Sequence, residues 1–445
     1  MSATLFVLAN LIVLGLVSLI YSNSGIFVVG LIGFIISFLF IEKQPSLMLV
    51  AFIGNVIAIL FIIFNYYALI NSFGSPYYAV DDQLFEQYGH WLFTNKVYLF
   101  EKIPYMQGMY FAKGYCLVLC YIERLSYLVL SEYHTLAPRV LNIYLWASSS
   151  YIIQKMVQAH TSFQYSKKVF LLLFLFPNAL FISSFVYRDT LVVFLMVLFI
   201  YSLENVFQRA KRFNGKFILD AALLILSIYL LYYVRVQMIY ILGVIAAFYL
   251  ADSIFDNKRV KVITYGLATI AGLLLLFFSG AFDLFSITEA KYSDLRADQT
   301  DGLSSVIFSQ NLIPFGIILR FIYGFFIPFP AGIFDLNFLE EPLFSSLRTI
   351  VYLGTVFQLF FIPYFFKSIK SFSFETICYI AVYLAIITTT FTFRHFLITY
   401  PFLAIVTSEE YYKTSASNRK QIKEMVYISL FALILIYLFL KLIVS

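Results

Sequence analysis

No acidic or basic side chain occurs before Glu42, and comparable charge-free runs separate Lys43 from Asp81, Lys168 from Arg188, Lys261 from Asp283 and Arg348 from Lys367. An apolar helix needs about 20 residues to cross the hydrocarbon core of a bilayer, and each run supplies that length or nearly so. Only helices and closed barrels satisfy their backbone hydrogen bonds in lipid, and uninterrupted apolar runs of this length are the helical signature. Of the 445 residues, 62% are hydrophobic, 20% aromatic and 12% charged, about half the charge of a soluble domain. The chain is expected to be an all-α polytopic membrane protein. Residues 3–20 lack the basic n-region of a signal peptide and are followed almost at once by another apolar segment, so they are expected to be a retained helix.

Apolar spans can be placed at 3–20, 25–41, 47–70, 139–160, 169–186, 190–207, 217–234, 237–251, 262–281, 345–366, 375–393, 396–409 and 426–444, about 13 transmembrane helices. With a cytoplasmic N-terminus, alternation puts Lys43, Lys167-Lys168, Arg209 to Lys216, Lys258 to Lys261, Lys367-Lys370 and Lys413 to Lys423 on the cytoplasmic side, as the positive-inside rule requires. Two long polar stretches, 71–138 and 282–344, then lie outside. Within them 114–130 and 312–334 are apolar, but Glu123 and Arg124 interrupt the first, and Arg320 and Pro328-Phe329-Pro330 the second. Both are read as helices lying at, or dipping into, the outer interface. With no repeat or low-complexity tract, residues 1–445 form one membrane domain. The net charge of +6 resides mostly in these short basic clusters, so no nucleic-acid partner is expected.

A charge inside a membrane is expensive, so those at span ends need water or a role. Asp81 and Asp82 follow a span, Arg139 begins one, Arg188 and Asp189 fill a tight turn, Arg235 fills another, and Arg394-His395 a third. The derived topology puts all of them at the extracytoplasmic surface, where they can line one cavity. The structural alternative is snorkelling of each arginine to lipid phosphate and helix capping by Asp189.

Asp81-Asp82 opens an amphipathic helix, YYAVDDQLFEQYGHWLF, in which Asp82, Phe85, Glu86 and Gly89 share a face and Asp81 points elsewhere. A carboxylate beside apolar surface suits a general base, because desolvation raises its pKa. N-capping explains one aspartate more readily than two. Oxygen ligands from Asp81, Asp82 and Glu86 can also accommodate a divalent cation, although nothing in the spacing requires one. His90, His134, His160 and His395 have no metal-ligand spacing, and Cys116, Cys120 and Cys378 read as structural thiols. HExxH, Walker A, nucleotide-binding and G-x-S-x-G motifs are absent.

The order of these features resembles the GT-C superfamily of membrane glycosyltransferases, which includes protein O-mannosyltransferases and lipid A aminoarabinose transferases. The resemblance rests on the acidic first loop with Asp81-Asp82 and on APRVLNIYLW with Arg139. It continues in LFPNALFISSFVYRDTLVVFL, with Pro177, Ser183, Ser184, Arg188 and Asp189, and in FTFRHFLITYPFLAIV, with Arg394 and Pro401. It implies a multi-pass enzyme of a bacterial cytoplasmic membrane, with an active site on the extracytoplasmic face. It also implies a polyprenyl-phosphate- or diphosphate-linked sugar donor and a glycan or lipid acceptor. By position, Asp81 or Asp82 is the implied base, and Arg139, Arg188, Arg235 and Arg394 the implied donor-phosphate ligands, with Glu86, Asp189 and His395 in support. The chain departs from the pattern by placing three spans before the acidic loop, where the family usually has one, and by lacking a large C-terminal soluble domain.

Two other readings fit the same residues. A Wzy-type polysaccharide polymerase also joins polyprenyl-linked sugars at the outer face and relies on arginines. A transporter or lipid-linked sugar flippase calls for polar residues near the bilayer midplane, often on repeated helices, whereas Lys155 and Asp220 lie near cytoplasmic ends. The charges of the second loop, Lys291, Asp294, Arg296, Asp298 and Asp301, are read as a solvated loop rather than a lid over the acceptor.

Overall fold

A computed structural model of the chain describes residues 1–104, 112–209, 214–254, 260, 263–267, 290, 307–308, 310, 312–370, 373–389 and 391–444. The expected span 262–281, the charged run 291–301 and parts of the basic clusters around 210–213 and 258–261 lie wholly or largely outside the described residues. Among the described residues the structure is helical throughout, without strands. The chain is a membrane-embedded, multi-pass protein. Among the described residues six helices are long and apolar enough to cross a membrane: Ala3–Ile20, Pro45–Phe73, Asp189–Arg209, Gly215–Val234, Gln237–Ile254 and Pro342–Ile369. The bent pair Phe163–Phe174 and Pro177–Ser183 makes seven if it counts as one span, and Ser24–Phe40 and Phe374–Thr388 are shorter apolar helices.

The chain divides into two compact units, Met1–Ile239 with Phe338–Leu347, and Tyr240–Asn337 with Arg348–Ser445. The first contains α1 (Ala3–Ile20), α2 (Ser24–Phe40), α3 (Pro45–Phe73), α4 (Val80–Thr94), α5 (Lys113–Leu128), α6 (Leu136–His160), α7 (Phe163–Phe174), α8 (Pro177–Ser183), α9 (Asp189–Arg209) and α10 (Gly215–Val234). Helix α6 is its hub, packed by α2, α3, α7 and α9 and buried along nearly its whole length. A helix surrounded by other helices need not be lipophilic. That is why α6, at 25 residues, carries Arg139, Asn142, Ser148–Ser150 and Gln154 on buried positions. The three serines bond back to the carbonyls of Tyr144, Leu145 and Trp146, four residues earlier, and so satisfy themselves without a neighbour. By contrast, α1 and α10 are only 22% buried and strongly apolar, as lipid-facing helices must be.

Close approach at the hub depends on Gly33 of α2, where an added Cβ would press on the Tyr144 Cβ of α6 at 3.0 Å. A buried amide pair joins α1 to α3: Asn55 Nδ2 donates to Asn10 Oδ1 at 2.9 Å, and Asn10 Nδ2 to the Phe6 carbonyl at 2.8 Å. The segment expected to span at 169–186 is broken, with a 53° bend between α7 and α8. Pro177 starts α8, where its missing N–H is harmless, and Trp146 Nε1 donates to the freed Phe174 carbonyl at 3.1 Å.

The second unit contains α11 (Gln237–Ile254, most of it), α12 (Ile317–Gly324), α13 (Pro342–Leu359, from Arg348), α14 (Ile362–Ile369), α15 (Phe374–Thr389), α16 (Tyr400–Lys413) and α17 (Ala416–Val444). The 312–334 segment is a chain of short pieces: a π-helical Leu312–Gly316, α12, a cis Ile327–Pro328 bond and a 3-10 turn at Pro330–Asp335. Its longest continuous stretch, 312–324, rises only about 20 Å, short of a full crossing. Tyr383 of α15 anchors it by donating to the Phe321 carbonyl at 2.7 Å. In α5, the counterpart in the first loop, Tyr115, Cys116, Leu119, Ile122, Glu123 and Ser126 form one buried face.

Candidate functional site

Helix α4 has the face expected of it: Asp82, Phe85, Glu86, Gly89 and Leu92 are buried, whereas Asp81 is only half-buried. Asp82 does not serve mainly as a cap. Its Oδ1 accepts the backbone N–H of Val186 at 2.7 Å, and its Oδ2 lies 3.9 Å from Arg139 Nη2 and at a long 3.5 Å from the Tyr78 N–H. Burial pushes the Asp82 carboxyl up to about 6, opposed by the Arg139 guanidinium and reinforced by the nearby Glu86 carboxylate.

Arg139, at the start of α6, is completely buried. Nη2 donates to the Pro76 carbonyl, and the guanidinium lies near the rings of Tyr66 and Phe185, with centroids at 5.9 and 5.6 Å. Its Nε and Nη1 have no hydrogen-bond partner among the described residues. One turn along α6, Asn142 Nδ2 donates to the carbonyls of Phe185 at 2.7 Å and Tyr187 at 3.2 Å. The turn between α8 and α9 is therefore held from two directions. Asp82 takes its Val186 N–H and Asn142 its two carbonyls, so backbone groups with no helical partner are paired.

At the far side of that turn, Asp189 begins α9, and its Oδ1 receives Arg235 Nη1 at 2.7 Å in a buried ion pair. Arg188 is half-buried, with Nη1 3.5 Å from the Val234 carbonyl. Asp82, Arg139, Arg188, Asp189 and Arg235 thus gather around one turn within the first unit. Arg394 and His395 belong to the second unit, in the 3-10 segment Phe393–Thr399. Arg394 is half-buried, and His395 is buried with Nδ1 2.6 Å from Thr392 Oγ1.

Glu86, one turn beyond Asp82, accepts three hydroxyls: Tyr77 at 2.6 Å, Tyr133 at 2.7 Å and Thr135 at 2.6 Å. Burial and the facing carboxylate push both tyrosine hydroxyls well above their usual range, so they stay protonated and donate. Further along α4, His90 Nδ1 lies 2.7 Å from Glu123 Oε1 of α5, and burial pushes the Glu123 carboxyl up against the pull of His90. Among the described residues no three His, Cys, Asp or Glu side chains are grouped so as to hold a metal ion.

Sequence reasoning singled out the charges but not their partners. Asn142, Tyr77, Tyr133, Thr135 and the His90–Glu123 pair were not among the expected site residues. Asn142 had one usable signal, its place three residues after Arg139 on the same helical face. The tyrosines had none in a chain with 35 of them. No protein-family model matches the chain, and no curated protein matches it significantly.

Proposed function

We propose that the protein is a glycosyltransferase that takes a sugar from a polyprenyl-phosphate- or diphosphate-linked donor at the extracytoplasmic membrane face, in assembly of a cell-surface polysaccharide or glycolipid. The observation that carries this reading is the convergence of Asp82 and Arg139 with the Arg188–Asp189 turn and Arg235, from four separate stretches of chain. A carboxylate-bearing loop helix braced against arginine-bearing helix ends is what transfer from a lipid phosphate requires.

In the proposed reaction an acceptor hydroxyl attacks the anomeric carbon of the donor as a carboxylate takes its proton. The bond from that carbon to the phosphate oxygen breaks, and the departing phosphate keeps the electron pair. An arginine meets the charge that develops there. The two aspartates divide the work by exposure. Asp82 is fully buried and bonded to Val186, so it is the positioning residue that sets the α8–α9 turn. Asp81 is adjacent and only half-buried, so it is the proposed base. Among the arginines of the first unit the same argument favours half-buried Arg188 for the phosphate, while Arg139 and Arg235 hold their charges inside the frame.

The test is glycan assembly in cells carrying Asp81→Asn, Asp82→Asn or Arg188→Ala, with the amount of membrane-inserted protein measured in each. Loss of assembly with Asp81→Asn and Arg188→Ala at normal protein levels is the expected result. Full assembly in all three sinks the proposed site. Assembly that survives loss of both aspartates but not of Arg188 favours an arginine-dependent polymerase.

A further inference from the structure

A cavity of about 560 Å³ opens beside α4 and α5, within the first unit. That volume lies inside the ~300–1,000 Å³ range of small-molecule pockets. Its described lining carries the carboxylates of Glu86, Glu123 and Glu132 with the imidazole of His90, and no lysine or arginine. A phosphate or a uronic acid would meet like charge there, so the cavity is not where the proposed donor's phosphate binds. The rings of Tyr77, Phe93, Tyr127 and Tyr133 complete the walls.

Carboxylates interleaved with aromatic faces suit a pyranose, whose C–H face packs on a ring while its hydroxyl or ammonium edge donates to oxygen acceptors. The cavity is also built rather than incidental. Glu86 is fixed by three hydroxyl donors and Glu123 by His90, so neither has to be ordered when a ligand arrives. The chain bordering the cavity is apolar and exposed: Tyr127 is 69%, Leu128 67% and Leu130 98% exposed. Such a border suits a sugar headgroup presented from a membrane surface.

We propose that this cavity binds the acceptor through a sugar unit without negative charge, neutral or amino-bearing. The word acceptor rests on the glycosyltransferase reading; the binding does not. The test is calorimetric titration of the full chain in nanodiscs with three disaccharide probes: N,N′-diacetylchitobiose, its diamine and digalacturonate. The neutral or the amino probe is expected to bind at least ~10-fold more tightly than digalacturonate. Tyr127→Ala, at an exposed ring, should weaken the favoured probe by ~10-fold, and Glu132→Lys, also exposed, should narrow or invert the order.

An octyl glycoside of the favoured probe distinguishes the source. Tighter binding that Leu130→Ser abolishes assigns a lipid-linked acceptor, and equal binding a free glycan. Equal or tighter binding of digalacturonate overturns the proposal, as does binding of no probe, or binding indifferent to both Tyr127→Ala and Glu132→Lys. Sugar binding without any transfer activity would remove the enzyme reading and leave the cavity standing. Transfer activity with unselective binding would do the reverse.

Discussion

Asp82 Oδ1 accepts the Val186 N–H at 2.7 Å, joining the first turn of α4 to the turn between α8 and α9 across 104 residues of sequence. The bond makes the acidic loop helix and the arginine-bearing turn one mechanical object. Asp82→Ala removes the acceptor from a buried N–H and leaves Arg139 without its nearest carboxylate. Breaking a buried charge pair in this way costs ~3–5 kcal/mol. Thermal unfolding in detergent should show a large loss for Asp82→Ala and little for Asp81→Asn, whose side chain is only half-buried.

The Asp82 carboxyl also sets a pH dependence. Its folded value of about 6 lies above its ordinary 3.8, so between these values the folded state holds a proton that the unfolded chain has released. Its contribution is therefore fully present below about pH 4, falls as pH rises through about 6, and is constant above. The stability difference between the wild type and Asp82→Asn, followed from pH 4 to 7, should fall across that window. A difference independent of pH would contradict the burial-driven shift.

Asp189 and Arg235 are buried together at 2.7 Å. Each single change breaks this buried ion pair, so Asp189→Ala and Arg235→Ala should each destabilise by ~3–5 kcal/mol, and the double variant by less than their sum. A double-mutant cycle in chemical denaturation measures the coupling. Additive losses would assign both residues to separate neighbours.

Glu86 has three hydroxyl donors, which are not equal in exposure: Thr135 is buried, while Tyr77 and Tyr133 are partly exposed. Thr135→Val keeps the shape and deletes one buried donor, at a cost of ~1–3 kcal/mol. Tyr77→Phe and Tyr133→Phe should cost less, because water can replace the lost hydroxyl. Melting temperatures of the three variants give the order.

How far the sequence reached is visible at α4 and α6. The face of α4 was legible because a 3.6-residue period sorts Asp82, Phe85, Glu86 and Gly89 from Asp81 by arithmetic. The partner of Asp82 was not, because a backbone N–H carries no side-chain signature and Val186 stands far away in the chain. Arg139 was expected at a membrane surface and is fully buried, because Pro76 and the ring of Phe185 pack around its guanidinium. Helix α6 was expected as an apolar span over 139–160 and is not among the helices apolar enough to qualify; its serines and amide groups mark a hub of the first unit, a distinction that only packing reveals. The bend at Pro177 was not expected, because 169–186 reads as one unbroken apolar span. At the bend, Trp146 of another helix donates to the Phe174 carbonyl, a partner that the local sequence does not reveal.

In the proposed reaction Asp81 takes a proton during sugar transfer while Asp82 holds the frame. That division is tested most directly by the transfer rate from polyprenyl-phosphate-linked sugars in proteoliposomes, measured for Asp81→Asn beside the wild type at matched protein and matched melting temperature. Transfer by the wild type is expected, with a loss of at least ~100-fold in Asp81→Asn, the lower end of what a general base contributes. An Asp81→Asn rate equal to that of the wild type would contradict it.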